Sequence, residues 1–168
     1  FEQAALRLAF IGSAGDGYIR NSVDDRKFAE KDFWGLRGSL RVAASDRLRV
    51  DLMAQHVEDD GASSELWTPS LANFVDPSDI RLTTVTLANP YLKIQSDNVS
   101  ANLEYDLGFA TLHAVTGYAR SEVRDLDDCA GEPRLQGCVR GLQPSWFHQW
   151  SQEIRLASNQ YTSVDWLV

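Results

Sequence analysis

Polar and apolar residues alternate along several stretches of this chain, most clearly across residues 147–158. With a period of two, Trp150, Ile154 and Leu156 fall on one side of an extended backbone, with Gln152 as the polar residue among them. The other side carries polar, charged and small residues: Gln149, Ser151, Glu153, Arg155 and Ala157. A helix would place these two sets on overlapping faces, so the pattern predicts a β-strand with one apolar and one polar side.

The same alternation predicts further strands over residues 4–12, 32–42, 48–56, 98–106 and 109–121. Residues 165–168 begin another, so about seven antiparallel strands are represented. Short turns are expected at 44–46, 106–108 and 159–163. Long connections are expected at 20–31, 58–97 and 122–146, where the alternation fades and turn residues accumulate.

Charged residues of the predicted strands share one face: Arg7, Arg37, Arg41, Arg49, Asp51, Glu104, Glu153 and Arg155. The opposite face is expected to carry no charge. Arginine, asparagine, glutamine and serine dominate the polar face and lysine is nearly absent, which suits an enclosed wet interior where side chains hydrogen-bond one another. A soluble sheet also has two unlike faces, so this pattern alone leaves both a membrane barrel and a soluble all-β domain open.

Three sequence units resemble the barrel hairpins of TonB-dependent outer-membrane receptors: LRGSLRVAASDRLRVDLMAQ, NLxYDLGxxTLxxxTGY, and SQEIRLAS followed by DWLV. Ala44 stands in the first turn where many members of that family have proline. The resemblance implies an all-β fold, a segment of a larger antiparallel transmembrane β-barrel with short periplasmic turns and long extracellular loops. Because the chain starts at Phe1 without a signal peptide and stops at Val168 in mid-strand, residues 1–168 are interpreted as part of the barrel domain, without the plug domain.

The resemblance also implies a function, which is TonB-dependent active import of a scarce nutrient across the outer membrane of a Gram-negative bacterium. An iron–siderophore complex is the expected substrate. The implied partners are outer-membrane lipid, the protein's own plug domain, TonB acting through that plug, and the extracellular ligand. The alternatives are a passive outer-membrane porin or channel and a soluble all-β carbohydrate-binding module.

The candidate lumen-facing residues are Arg37, Arg41, Arg49, Asp51, Glu104, Glu153 and Arg155. They could form a structural network along the barrel wall, or contact the plug or an anionic substrate. No catalytic motif or phosphate-binding loop is present in the sequence, so neither an enzyme nor a cofactor is predicted.

Net charge and cysteine spacing bear on the partners and the cellular compartment of the protein. A net charge of −8 argues against nucleic acid as a partner, because phosphate binding needs a basic surface. Cys129 and Cys138 have poor metal-binding spacing and favour a loop disulfide in an oxidising compartment, with free thiols as the alternative.

No metal site is predicted. His56, His113 and His148 are expected to end or line strands. An acidic group is expected to form a solvated loop, with a hard-cation site as the alternative: Glu122, Asp125, Asp127, Asp128 and Glu132.

Overall fold

The structure is a computed structural model that describes residues 3–21, 24–62, 83–84, 91–128, 139–141, 144–159 and 164–168. The strands among these described residues are β1 (Ala4–Gly15), β2 (Ile19–Asn21), β3 (Lys27–Phe28), β4 (Lys31–Ser45), β5 (Leu48–Ala62), β6 (Thr83–Thr84), β7 (Tyr91–Asp106), β8 (Ala110–Asp128), β9 (Val139–Gly141) and β10 (Ser145–Ser158). The described residues contain no helix that is long and apolar enough to cross a membrane.

The long strands form one antiparallel sheet in the order β1-β4-β5-β7-β8-β10, and β9 pairs with the end of β8. Residues 164–168 lie against β10, where the backbones of Leu156 and Val168 exchange hydrogen bonds of 2.8 and 3.0 Å. A smaller sheet has the order β3-β2-β6. The predicted all-β, antiparallel fold is therefore confirmed. Within the described ranges the main sheet is open, because β1 and residues 164–168 form its two edges.

Short and long connections lie at opposite ends of the main sheet. The connections that follow β4, β7 and β10 are short and lie at one end, which we call the short-turn end. The segments that join β1 to β4, β5 to β7 and β8 to β10 are longer and begin and end at the opposite end, which we call the long-connection end. The predicted alternation of short and long connections is confirmed as a property of the sheet.

Several strands reach further toward the long-connection end than the sequence predicts. The structure extends β5 to Ala62, starts β7 at Tyr91, extends β8 to Asp128 and starts β10 at Ser145. The loop predictions for residues 58–62, 91–97, 122–128 and 145–146 were therefore wrong. In this region the face that is apolar at the centre of the sheet becomes polar, and apolar residues such as Ile94 and Val123 lie on the opposite face. The hydrophobic alternation of the central strands is therefore lost, while backbone pairing continues through pairs such as Glu58 with Gln95.

The main sheet is a single layer within the part of the chain that the structure describes. Buried apolar side chains are confined there to Phe28 and Ala110, at 5% and 0% exposure. Large apolar side chains near the middle of the sheet stay open instead, with Leu36 48%, Leu52 43% and Ile154 65% exposed. An uncovered apolar sheet face indicates that this surface contacts an apolar partner.

Close backbone packing at the long-connection end leads to a first prediction. A Cβ atom on Gly61 would lie 2.0 Å from the backbone nitrogen of Asp32, a distance that side-chain rotation cannot relieve. We expect Gly61→Ala to lower the free energy of unfolding by about 1–3 kcal/mol, the usual range for overpacking. Gly15→Ala is the matched control, because a Cβ there would meet nothing within 4 Å. Equal denaturation midpoints for the two variants would contradict this packing.

Candidate functional site

Cross-strand register assigns each side chain to a face of the sheet, because residues directly opposite each other point to the same side. One row runs from Leu40 through Leu52, Ala101 and Thr116 to Gln152. The face that contains this row is the apolar face. Its large aliphatic members, together with Phe10, are Leu6, Leu8, Leu36, Leu40, Val42, Leu48, Val50, Leu52, Val99, Leu103, Leu112, Ile154 and Leu156.

The uncharged part of the apolar face has similar length on β4 and β8. On β4 it runs over residues 34–42 and on β8 over residues 110–118. Each stretch spans about nine residues, close to the roughly 9–11 that a tilted transmembrane strand needs. The stretch is shorter on the two strands between them, because the polar residues begin at His56 on β5 and at Asp97 on β7. Together these stretches form a continuous apolar band across six strands.

Aromatic side chains lie at both limits of this apolar band. Tyr105 lies at the short-turn limit, opposite Leu112. Tyr118 and Trp150 are paired at the other limit, with ring centroids 4.7 Å apart and planes inclined by 45°. Trp34 lies slightly further along on β4. Aromatic rings at both edges of an apolar band are typical of surfaces that cross a lipid–water boundary.

One polar pair interrupts the apolar band. Thr116 and Gln152 lie opposite each other, and the Thr116 hydroxyl donates a hydrogen bond of 2.5 Å to the Gln152 side-chain carbonyl. Each polar group thus partly satisfies the other, which lowers the cost of placing them among apolar neighbours. This pairing explains why Gln152 is tolerated on the apolar side of its strand.

Beyond the apolar band, the same face becomes charged toward the long-connection end. We call this region the polar belt, and its members are His56, Glu58, Asp97, Arg120 and Glu122. The expectation of a charge-free face was therefore wrong for this part of the sheet. The strands continue past the apolar band, and side chains there pair with one another across strands.

Contacts within the polar belt link three neighbouring strands. His56 Nδ1 lies 2.7 Å from Asp97 Oδ1 on β7. Trp34 Nε1 donates a hydrogen bond of 2.9 Å to Glu58 Oε2, and its ring centroid lies 5.0 Å from that of His56. Through these contacts Trp34, at the limit of the apolar band, is held against two residues of the polar belt.

The opposite face of the sheet is the arginine face. The register places on it all the charged residues predicted to share a side: Arg7, Arg37, Arg41, Arg49, Asp51, Glu104, Glu153 and Arg155. Arg41 Nε lies 2.6 Å from Asp51 Oδ1, and Arg49 Nη1 lies 3.4 Å from Glu104 Oε1. Arg155 also forms an ion pair with Glu153. Most charges on this face are therefore neutralised within the sheet.

The three histidines considered in the sequence analysis lie on both faces of the sheet. His56 and His148 lie on the apolar-face side and His113 lies on the arginine face. No cluster of three potential metal-binding side chains occurs among the residues that the structure describes.

The acidic run is not a loop over its first part, because residues 122–128 belong to β8. Glu122 accepts a hydrogen bond of 2.6 Å from Arg124. Glu132, Cys129 and Cys138 lie outside the described residues, so the predicted disulfide stays a prediction.

A hydrogen-bonded network joins two neighbouring elements at the short-turn end. Asp106 Oδ1 accepts a bond of 2.7 Å from the backbone N–H of Gly108, whose φ of 88° suits glycine. The Asn159 side-chain amide donates to Gly108 O and to Asp106 Oδ1 at 2.6 and 3.2 Å, and its oxygen accepts from Thr111 at 2.8 Å. Asn159 therefore fixes the turn after β7 against the end of β10.

This network lowers the pKa of Asp106, first through the Gly108 N–H, then through the Asn159 amide and the charge of Arg47. The ionised carboxylate therefore stabilises the folded state at neutral pH, and that contribution is lost as the pH falls through the lowered pKa. We expect Asp106→Asn to weaken the pH dependence of unfolding between pH 6 and pH 3, measured by denaturant titration. Asp46→Asn in the neighbouring turn is the control, and an unchanged pH profile for Asp106→Asn would contradict the prediction.

Sequence reasoning missed the polar belt and the role of Asn159. Both could have been suspected from single residues, such as Asn159 directly after a strand. Their partners come from distant strands, so the contacts depend on cross-strand register.

Comparisons with protein-family models, with curated proteins and with solved structures found no match to this chain. The function of the chain is therefore inferred from the two faces of its main sheet.

Proposed function

We propose that this chain forms part of the wall of a transmembrane β-barrel in the outer membrane of a Gram-negative bacterium. The whole protein imports a scarce nutrient, such as an iron–siderophore complex, with energy transmitted by TonB. The geometry of the sheet supports the barrel wall, and the resemblance of the sequence units to TonB-dependent receptors supports the transport step.

The observation that carries the proposal is the uncovered apolar band. It crosses six neighbouring strands, it is bordered by aromatic residues, and no second layer packs on it within the described residues. In a soluble sandwich, Leu52 and Ile154 would be packed against a facing sheet. They are instead 43% and 65% exposed, and acyl chains of a bilayer are a suitable cover for them.

The arginine face supports the same proposal from the other side. Its ion pairs, such as Arg41 with Asp51, lie directly behind apolar positions such as Leu40 and Leu52. Alternation between a lipid-facing and a polar, lumen-facing set is the pattern of outer-membrane barrels. Short turns at one end and long connections at the other also match the usual periplasmic and extracellular ends of such barrels.

The import cycle requires partners that bind elsewhere in the whole protein. A nutrient binds first at the extracellular loops and at a plug domain inside the barrel, and TonB then acts on that plug. Residues 1–168 contribute part of the barrel wall that surrounds this path. A passive porin would share the wall, so the energy requirement is what separates the two functions.

Membrane fractionation and uptake together test the proposal. The product of the whole gene should sediment with the outer membrane and should migrate faster on gels before heating than after it, as folded barrels do. Uptake of radiolabelled ferric siderophore should then be lost when TonB is deleted. Uptake that persists without TonB would favour a passive channel. Recovery of the protein in the soluble fraction would contradict the membrane assignment itself.

A further inference from the structure

Positive charge on the arginine face is concentrated where β1 pairs with β4. Arg7 lies directly opposite Ser39, and Arg37 and Arg41 lie two residues to either side of Ser39 on β4. Diagonal neighbours in an antiparallel sheet are about 7–8 Å apart, well within the reach of long arginine side chains. These arginines can therefore approach a common point, and we call Arg7, Arg37 and Arg41 the arginine cluster.

Two members of the cluster differ from the other arginines of this face because they are unpaired within the described residues. Arg41 is bound by Asp51, through contacts of 2.6 and 3.4 Å. Arg7 and Arg37, by contrast, form no ion pair or hydrogen bond with any other described residue. Two guanidinium groups thus keep their full hydrogen-bonding capacity next to each other, in a chain whose net charge is −8.

The surface beside the cluster is concave. A depression of about 530 Å³ lies there, and its polar lining consists of Arg7, Arg37, Ser39, Ser100 and Asn102 together with the ion pair of Arg41 and Asp51. Ligand sites usually have volumes of roughly 300–1,000 Å³. A guanidinium group binds carboxylate and phosphate oxygens with two parallel N–H donors, and hydroxyl and amide groups can bind the rest of such a ligand.

We propose that this depression is a binding site for a small molecule that carries carboxylate or phosphate groups. Arg7 and Arg37 bind the oxyanion, and Ser39, Ser100 and Asn102 hydrogen-bond its neighbouring polar atoms. Arg41 stays bound to Asp51, and this ion pair borders the site. The inference goes beyond nutrient import and concerns the arginine face alone, so it holds whether that face lines a channel or meets bulk water.

Calorimetric titration of the purified product of the whole gene tests this site, with inorganic phosphate and succinate as separate probes at constant ionic strength. Loss of a charged hydrogen-bonding partner should weaken binding by roughly tenfold or more in Arg7→Gln and in Arg37→Gln. Arg37→Lys keeps the charge and loses the paired donors, so an intermediate affinity is expected. The stronger of the two probes identifies the preferred group, carboxylate or phosphate.

Arg155→Gln is the matched control, since it removes one positive charge from the same face at a residue that is already paired with Glu153. It should leave the affinity for the probe unchanged. Equal weakening in Arg155→Gln and Arg37→Gln would overturn the site, because a general effect of surface charge would then explain the binding.

Thermal unfolding provides a second measurement of binding, made without titration. The same concentration of the probe that binds should raise the unfolding temperature of the wild type by more than that of Arg7→Gln or Arg37→Gln. If neither probe binds and both variants unfold more easily, the cluster holds an acidic segment of polypeptide instead. That result would overturn the small-molecule site and leave the membrane assignment untouched.

Discussion

Leu103→Arg is expected to prevent stable membrane assembly of the protein. Leu103 lies on the central strand β7, in the row that joins Val50 to Ala114, near the middle of the apolar band. If this band meets hydrocarbon, an arginine there destabilises the folded barrel by about 2–4 kcal/mol. That is a large fraction of the stability of most folded proteins. The measurement is the free energy of unfolding in lipid vesicles, together with the amount of protein recovered in the outer membrane.

Asn102→Arg is the matched control for this experiment. Asn102 is the preceding residue on the same strand, and it lies on the arginine face opposite Asp51. The new guanidinium would be placed among polar groups and next to a carboxylate, so we expect a change of less than about 0.5 kcal/mol. Similar effects for the two substitutions would mean that the faces do not differ in their surroundings, and the membrane proposal would fail.

The polypeptide of residues 1–168 produced alone is expected to aggregate in aqueous buffer. Its main sheet has two edges within the described residues, β1 and residues 164–168. Along β1 the apolar face exposes Leu6, Leu8 and Phe10, each about 70% accessible. An unpaired edge next to a wide apolar face favours strand-to-strand association between molecules. Light scattering and gel filtration should show large species at micromolar concentrations.

Charges on the edge strand give a test of the cause of this aggregation. Lysine in place of Leu6, Leu8 and Phe10 should reduce the association, because charged residues on an edge strand oppose further pairing. Lysine in place of Ala5 and Ala9, on the opposite face of the same strand, should have a smaller effect. A sharp unfolding transition of the unmodified polypeptide that does not depend on its concentration would contradict the prediction.

The strands at the centre of the sheet could be predicted because their polar and apolar residues alternate. Alternation of Leu40 and Val42 with Arg41 requires opposite faces of an extended chain, whatever the partner strands are. The register in the structure then places Arg41 beside Asp51 and Leu40 beside Leu52, so the charge segregation predicted along single strands extends across the sheet.

The ends of the strands were not predictable in this way. Residues such as Glu58 and Gln95 are polar on a face that is apolar further along the strand. The hydrophobic alternation of the central strands is then interrupted, although backbone hydrogen bonding continues. The ligand site was also beyond reach, since the unpaired state of Arg37 follows only from knowing which carboxylates lie opposite the other arginines.

Cysteine accessibility along β7 is the most direct test of the central claim, that one face of this sheet contacts lipid and the other contacts water. Single cysteines at residues 98–105 would be introduced into a protein in which Cys129 and Cys138 are serine, and labelled in intact outer membranes with a membrane-impermeant maleimide. We expect strong labelling at even positions such as Asn102 and protection at odd positions such as Leu103. Strong labelling at both sets, or protection at the even positions only, would contradict the account.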